Sequence, residues 1–287
     1  MFDHIQDFHQ PATVREAVKL LHDARGRARV LAGGTDLALL SDRSIRALVD
    51  VTRLGLDYIR RDGNAIVVGA TCTMAALENS AVIRALGGGI LAHAASTCGS
   101  QQIRNTATIG GNLAHGSPAA DTATPLLAMD ASVALQGRRG KRKLALADFF
   151  ALPPKKRSNG DLLVEIMIPK PKGRTGWSFQ KFGRTETDIS LVNCAAGICI
   201  DRDGRCSFAR IALGAVAPAP MRATKAEAIL AGQPLTLELI ARAAASARAE
   251  VQPLSDHRAS ADYRRELAEV LVRRALRECV KEAGCAL

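Results

Sequence analysis

The chain has 287 residues and a mass of 30.4 kDa, which exceeds one typical domain, so two or three modules with their own cores are expected. Hydrophobic residues make up 47% and charged residues 23%, close to the averages for globular proteins, which excludes extensive disorder. The net charge of +11 suggests an anionic partner, but aromatic residues make up only 3%, which disfavours nucleic acid because little is available for base stacking.

The cysteines indicate the cellular compartment. They stand at positions 72, 98, 194, 199, 206, 279 and 285 and form no C-x-x-C pair and no ligand run of a zinc or ferredoxin site. We interpret them as buried thiols in a reducing compartment. No basic and apolar leader opens the sequence, and no apolar run reaches the roughly 18 residues of a membrane span. We therefore expect a cytoplasmic protein without a membrane span.

The chain begins with the pattern of a small α/β unit. Thr13 and Glu16 fit a capping box, and apolar residues at helical spacing then predict a helix to about Ala24. A glycine turn at 33–36 is expected to follow a short strand at 30–32. Beyond it come an apolar segment at 37–40 and a second strand at 47–51, and the unit is expected to end near residue 55.

The remainder predicts an α+β module and a different final module. Pro169, Pro171 and Gly173 concentrate helix-incompatible and flexible residues, so we place the boundary at residue 173. The middle module is expected to contain helices at 74–86 and 90–97 and strands at 132–135, 143–146 and 162–168. The final module is expected to contain strands at 192–200 and 206–216, joined by an Asp-Gly turn, and helices around 222–231, 236–250 and 260–283.

Two segments place paired glycines next to Thr or Asn: residues 33–36, the first glycine segment, and residues 108–112, the second glycine segment. Glycine allows successive backbone N–H groups to converge on an anion such as a pyrophosphate. Thr35, Thr108 and Asn112 can add side-chain hydrogen bonds, whereas Asp36 is expected to cap the following turn. Neither the Rossmann motif nor the phosphate-loop motif of NTPases occurs. The residues alone leave open whether each segment is a tight turn or a phosphate cradle.

The order and spacing of Ala-Gly-Gly-Thr-Asp at 32–36, Thr-Ile-Gly-Gly-Asn at 108–112 and Ser-Pro-Ala-Ala-Asp at 117–121 resemble a known family. It comprises the FAD-binding (medium) subunits of the xanthine dehydrogenase and carbon monoxide dehydrogenase family of molybdenum hydroxylases. The similarity covers nearly the whole chain, including residues 102–105, the strand at 162–169, and Lys181, Arg184, Asp188 and Ile189.

The resemblance implies an α+β fold in two domains. Residues 1–173 would form a two-part FAD-binding domain of the vanillyl-alcohol oxidase (PCMH) type, with subdomains at about 1–55 and 56–173. Residues 174–287 would form a carbon monoxide dehydrogenase flavoprotein-like C-terminal domain, built from an antiparallel sheet and a helical bundle.

The resemblance also implies an FAD site. Residues 30–37 would line one side of the diphosphate and residues 108–112 the other. Asp121 would accept hydrogen bonds from sugar hydroxyls, and Lys181 would stabilise negative charge on the reduced flavin. The implied cofactor-binding residues are Val30, Leu31, Ala32, Gly33, Gly34, Thr35, Asp36, Leu37, Cys98, Thr108, Ile109, Gly110, Gly111, Asn112, Asp121, Leu163 and Lys181.

Several of these side chains also have a purely structural interpretation. Asp121 can be the N-cap of the next helix, and Lys181 an exposed strand lysine. Cys98 is expected to pack against the cofactor without redox activity. His115 has no evident partner and is assigned no catalytic role, and Trp177 is expected in the core or an interface. We predict no catalytic residue and no metal site in this chain.

The implied function is electron transfer within a heterotrimer, with a dimer of heterotrimers as the next level of assembly. A large subunit would carry molybdopterin and a small one [2Fe-2S] clusters, from which electrons would pass through FAD to NAD, oxygen or a quinone-linked acceptor. The 4-hydroxybenzoyl-CoA reductase branch has an additional iron–sulfur cluster, but residues 99–193 contain no cysteine to bind one.

Two other functions are considered: a stand-alone FAD-dependent reductase or oxidase of the same cofactor fold, such as a cell-wall precursor reductase, and a non-enzymatic basic binding protein. The basic clusters at 138–143 and 155–157 would either meet an acidic subunit or face solvent.

Overall fold

The computed structural model describes residues 4–39, 42–153, 157 and 160–285. Its N-terminal unit is a parallel sheet of strand order β1–β3–β2 with one helix packed on it. The hydroxyl of Thr13 accepts from the Glu16 N–H (3.2 Å), which confirms the predicted helix start. The elements are β1 (Asp7–His9), α1 (Val14–Asp23), β2 (Ala28–Leu31) and β3 (Ala47–Asp50).

The middle part packs helices on an antiparallel sheet of order β4–β5–β8–β6–β7. Its strands are β4 (Ile59–Asp62), β5 (Ala65–Gly69), β6 (Ser132–Gly137), β7 (Gly140–Ala145) and β8 (Leu162–Pro169). Its helices are α2 (Met74–Asn79), α3 (Ala81–Arg84), α4 (Ile90–Ser96), α5 (Gln101–Thr106), α6 (Ile109–His115), α7 (Ala123–Ala128) and α8 (Leu146–Ala151).

A bulge in the central strand β8 joins two cores. The register of β8 with β6 shifts between Ala134 and Leu135, which changes the face to which the following residues point. Leu162 and Val164 pack in the core beneath α1, whereas Ile166 belongs to the core beneath the middle helices. The N-terminal unit is therefore attached to the middle part through buried apolar contacts on β8.

The predicted single helix at 74–86 is wrong in one respect. Ser80 has extended backbone angles and ends α2, and its hydroxyl accepts from the Ile83 N–H (3.4 Å) at the start of α3. A serine side chain that bonds nearby backbone groups competes with helix continuation, which explains the break.

The C-terminal part is an antiparallel sheet of order β12–β11–β10–β9 covered by helices. The predicted hairpin is confirmed, with Gly204 at φ 75° in the turn between β10 and β11. A Cβ on Gly176 would lie 1.8 Å from the Cys279 carbonyl oxygen, so the last helix packs directly on the β9 backbone. The elements are β9 (Arg174–Phe182), β10 (Val192–Ile200), β11 (Cys206–Gly214), β12 (Met221–Arg222), α9 (Thr224–Leu230), α10 (Leu237–Glu250) and α11 (Ala261–Glu282).

The predicted α+β fold with antiparallel sheets and C-terminal helices is confirmed. Trp177 is buried in the core beneath the middle helices, as predicted. The predicted segment at 37–40 is a short 3₁₀ turn at Leu37–Leu39, and Leu40 lies outside the described residues. Among the helices described, none combines the length and the apolar character that crossing a bilayer requires.

Candidate functional site

The structure brings the two glycine segments side by side. A Cβ on Gly33 would lie 1.9 Å from the Thr106 carbonyl oxygen and 3.0 Å from the Ala107 Cα. The backbone of the first glycine segment therefore contacts the chain just before the second one. Only glycine permits this approach, because any side chain would overlap the Thr106 backbone.

The first glycine segment presents backbone donors that the described residues do not use. Gly34 adopts a left-handed conformation (φ 69°), and its carbonyl accepts from the Ala38 N–H (2.8 Å). In the part of the chain that the structure describes, no acceptor pairs with the N–H groups of residues 33–36. Such donors need water or a ligand anion as partner.

The second glycine segment is not the turn that its sequence suggested. It is the first turn of α6, and Thr108 is the N-cap, whose hydroxyl accepts from the Gly111 N–H (3.2 Å). The Ile109 and Gly110 N–H groups donate to the Cys72 and Ala70 carbonyls (both 2.9 Å). The N–H groups of Ile109, Gly110 and Gly111 therefore already have acceptors within the chain, so any contact of this segment with a diphosphate would come from other atoms.

The two glycines of this segment have different roles. A Cβ on Gly110 would lie 2.6 Å from the Cβ of Ala70, so Gly110 allows close packing of the backbone. Gly111 is exposed, and a Cβ there would approach only the Thr108 hydroxyl (2.8 Å). The surface over Gly111 is therefore open.

A buried ion pair lies between the middle and C-terminal parts. The Lys181 ammonium donates to the Asp121 carboxylate (2.7 Å) and to the Thr97 carbonyl (2.8 Å), and the two side chains are 9% and 8% exposed. Asp121 also accepts from Ser190 (2.5 Å) and Asn193 (3.1 Å). Both structural interpretations made from the sequence were wrong: Lys181 is not exposed, and the N-cap of α7 is Thr122, not Asp121.

The electrostatics around Cys98 agree with a packing role. Burial raises the pKa of the Cys98 thiol to about 12, so it is protonated at neutral pH. The residue before it, Thr97, binds Lys181 through its carbonyl, so Cys98 lies next to the ion pair. Burial raises the pKa of the Asp121 carboxyl as well, while Lys181, Ser190 and Asn193 favour its ionised form.

Leu163, another predicted site residue, is buried in β8. The carbonyl of the next residue, Val164, accepts from the Ala70 N–H (3.0 Å), and Ala70 in turn accepts from Gly110. Two successive backbone hydrogen bonds therefore connect the residue next to Leu163 with the second glycine segment. Ser190 and Asn193 were not predicted from the sequence. A usable signal was present, because both are polar and lie just before or at the start of β10, whose other residues are buried and mostly apolar.

Comparison with known proteins shows the family. The model described as "FAD binding domain in molybdopterin dehydrogenase" matches residues 2–171, and "CO dehydrogenase flavoprotein C-terminal domain" matches residues 177–279. The chain belongs to the FAD-binding subunits of the molybdenum hydroxylases. The predicted family is thus confirmed.

Individual relatives of this FAD subunit agree over the full length. The xanthine dehydrogenase FAD-binding subunit of Escherichia coli O157:H7 is 35% identical, with 99% of each chain covered. The nicotinate dehydrogenase FAD-subunit of Eubacterium barkeri is 32% identical over 97% of this chain and 98% of the relative. The carbon monoxide dehydrogenase structure from Hydrogenophaga pseudoflava superimposes with a TM-score of 0.90 at 34% identity, covering 98% of this chain and 99% of that one.

The geometry of this FAD subunit fits its cofactor. The unpaired N–H groups of residues 33–36 suit an anionic diphosphate, and the open surface over Gly111 leaves space for it. Lys181 has three N–H donors, two of which bind Asp121 and Thr97, so one is left without an acceptor among the described residues. FAD, when bound, supplies the reversible electron acceptance that no amino-acid side chain of the site provides.

Most of the basic hairpin at 138–143 is neutralised within the chain. Arg138 pairs with Asp23 and Arg142 with Asp161, each at 3.0 Å, and Lys141 pairs with Glu165. In the second cluster Arg157 is buried and donates to backbone carbonyls, while residues 155 and 156 lie outside the described part. A subunit contact at these clusters stays a prediction.

Asn112 offers a modest test of the site. Its side-chain oxygen accepts from the Thr122 hydroxyl (2.7 Å). We expect Asn112→Ala to lower the free energy of unfolding by about 1 kcal/mol, a typical value for one hydrogen bond, and to weaken FAD binding only slightly. Chemical denaturation and a fluorescence titration with FAD measure the two effects. Complete loss of FAD would instead give Asn112 a direct and dominant role in binding.

Proposed function

We propose that this chain is the electron outlet of a three-subunit molybdenum hydroxylase. In this proposal a large molybdopterin-binding subunit oxidises the substrate, and a small subunit with [2Fe-2S] clusters delivers the electrons to the FAD of this chain. An external acceptor then removes them. Two observations support the proposal: the contact of the first glycine segment with Thr106, where N–H groups are free to bind an anion, and the buried ammonium of Lys181.

The proposed cofactor site comprises residues 30–37 and 108–112 together with Cys98, Asp121, Leu163 and Lys181. Within it, residues 33–36 would bind the diphosphate. Lys181 would favour the negative charge of the reduced flavin. Asp121 would act mainly by holding Lys181, because its oxygens already accept from three protein donors.

The proposed domain division places an FAD-binding domain at 1–173, with subdomains at about 1–55 and 56–173, and a C-terminal domain at 174–287. It is supported by the start of β9 at Arg174 and by the interval between the two family models. A cytoplasmic location is proposed because all seven cysteines are free thiols. A dimer of heterotrimers is the proposed assembly.

The test separates the roles of the subunits. We expect the complete complex to hydroxylate a small aromatic heterocycle or to oxidise an aldehyde-like compound, whereas this chain alone, loaded with FAD, does neither. The measurement is substrate turnover by the purified complex and by the isolated chain, with metal and flavin analysis of both. Turnover by the isolated, metal-free chain would contradict the proposal and favour a stand-alone flavoenzyme.

A further inference from the structure

Four buried polar side chains form a continuous network between the middle and C-terminal parts. Asp121 and Thr124 come from the middle part, and Ser190 and Asn193 come from the C-terminal part. Their exposed fractions are 6%, 0%, 1% and 0%. Asn193 receives a hydrogen bond from the Thr124 hydroxyl (2.9 Å) and donates to Asp121. Polar groups so deeply buried are retained only when their hydrogen bonds are made.

The network is centred on the Asp121 carboxylate. One of its oxygens accepts from the Ser190 hydroxyl and from the Asn193 amide, and the other accepts from Lys181. Three donors, one of them cationic, offset part of the loss of hydration that the carboxylate suffers on burial. Ser190 and Asn193 therefore favour the ionised form of Asp121 and fix its orientation.

The Lys181 ammonium is the incompletely paired member of this arrangement. It has three donors, of which Asp121 and the Thr97 carbonyl take two. Within residues 4–39, 42–153, 157 and 160–285 nothing accepts from the third. An unpaired buried N–H is costly, so the third donor indicates a partner that approaches the ammonium from outside the described residues.

We propose that Ser190 and Asn193 are positioning residues for Lys181: by holding the Asp121 carboxylate they fix the ammonium so that its third donor serves the flavin. The C-terminal part thereby controls the charge next to a cofactor bound mainly by the first 173 residues. The inference rests on the proposed FAD site and adds to it the residues that orient its cation.

The test compares Ser190→Ala in the parent chain and in the Lys181→Met variant. We expect Lys181→Met to weaken FAD binding at least about tenfold, the effect of one hydrogen bond to a charged group, and more for reduced than for oxidised FAD. Each tenfold excess loss for the reduced form lowers the midpoint potential of the two-electron couple by about 30 mV. Ser190→Ala is expected to shift both quantities in the same direction by a smaller factor, roughly threefold in affinity.

In the Lys181→Met chain the same Ser190→Ala change is expected to alter FAD affinity by less than about twofold and to leave the potential unchanged, because its effect passes through Lys181. Asn193→Ala removes the other donor to Asp121 and is expected to behave like Ser190→Ala. Ser190→Thr keeps the hydroxyl and is expected to have the potential of the parent chain. Ser178→Ala is the matched control, since Ser178 is 4% exposed and donates to Glu278 (2.6 Å) outside the network. It is expected to leave affinity and potential unchanged.

The readouts are FAD titration and potentiometry of the full-length chain, so they do not depend on turnover by the complex. Equal losses from Ser190→Ala with and without Lys181 would overturn the positioning role, since they would show a packing effect. An unchanged potential in Ser190→Ala and Asn193→Ala would overturn it as well. A parent chain that binds no FAD would overturn both this inference and the proposed site. The two outcomes above, in a parent chain that does bind FAD, would overturn the positioning role alone.

Discussion

Gly33→Ala is expected to abolish FAD retention. The new methyl carbon would lie 1.9 Å from the Thr106 carbonyl oxygen, far inside contact distance, so the two glycine segments must separate. Separation would displace the free N–H groups of residues 33–36 from the proposed diphosphate position. Loss of two charge-assisted hydrogen bonds weakens binding by more than about 100-fold. The flavin-to-protein ratio after gel filtration measures the effect.

Gly176→Ala is the matched control for this change. Its methyl carbon would lie 1.8 Å from the Cys279 carbonyl oxygen, an equally severe overlap, but between β9 and α11. We expect both variants to lower the melting temperature, whereas only Gly33→Ala loses FAD at temperatures where the chain is folded. If Gly176→Ala lost FAD to the same extent, the loss would reflect general destabilisation and not the junction of the glycine segments.

Asp121→Ala is expected to produce the largest loss of stability among the substitutions considered. It leaves the Lys181 ammonium buried without its counter-ion, and removing one partner of a buried ion pair costs about 3–5 kcal/mol. The melting temperature is expected to fall by roughly 10 °C, given about 2–4 °C per kcal/mol for proteins of this size. Differential scanning calorimetry measures the shift.

Two comparisons identify the cause of that loss. Asp188→Ala breaks an ion pair of similar length, 2.6 Å to Arg184, but that arginine is 52% exposed, so the melting temperature is expected to change little. Asp121→Asn combined with Lys181→Met removes both charges and keeps an acceptor for Ser190. This double variant is expected to regain at least half of the loss. A double variant no more stable than Asp121→Ala would show that the ion pair is not the cause.

Local signals in the sequence predicted most of the elements. These signals depend on neighbours within a few residues. They are the Thr13 cap, the Asp-Gly turn that contains Gly204, and the strand and helix periodicities. The second glycine segment was predicted wrongly for the same reason. Two successive glycines have low helix propensity, so Gly110 and Gly111 suggested a turn, although Thr108 caps a helix that begins there.

The arrangement of the site could not be predicted from local patterns, because it depends on contacts between distant residues. Asp121 and Lys181 are separated by 60 positions, and Ser190 lies 69 positions beyond Asp121. Gly33 meets Thr106 although 73 positions separate them. Without the resemblance to a family, the glycine segments alone indicated at most a phosphate cradle.

The most direct test of the account is a crystal structure of the full-length chain with FAD bound. We expect diphosphate oxygens within about 3.2 Å of backbone N–H groups of residues 33–36, with the cofactor passing over Gly111 and Lys181 donating to the flavin. A diphosphate bound away from the first glycine segment, with those N–H groups in contact only with water, would contradict the central claim that the joined glycine segments hold the cofactor.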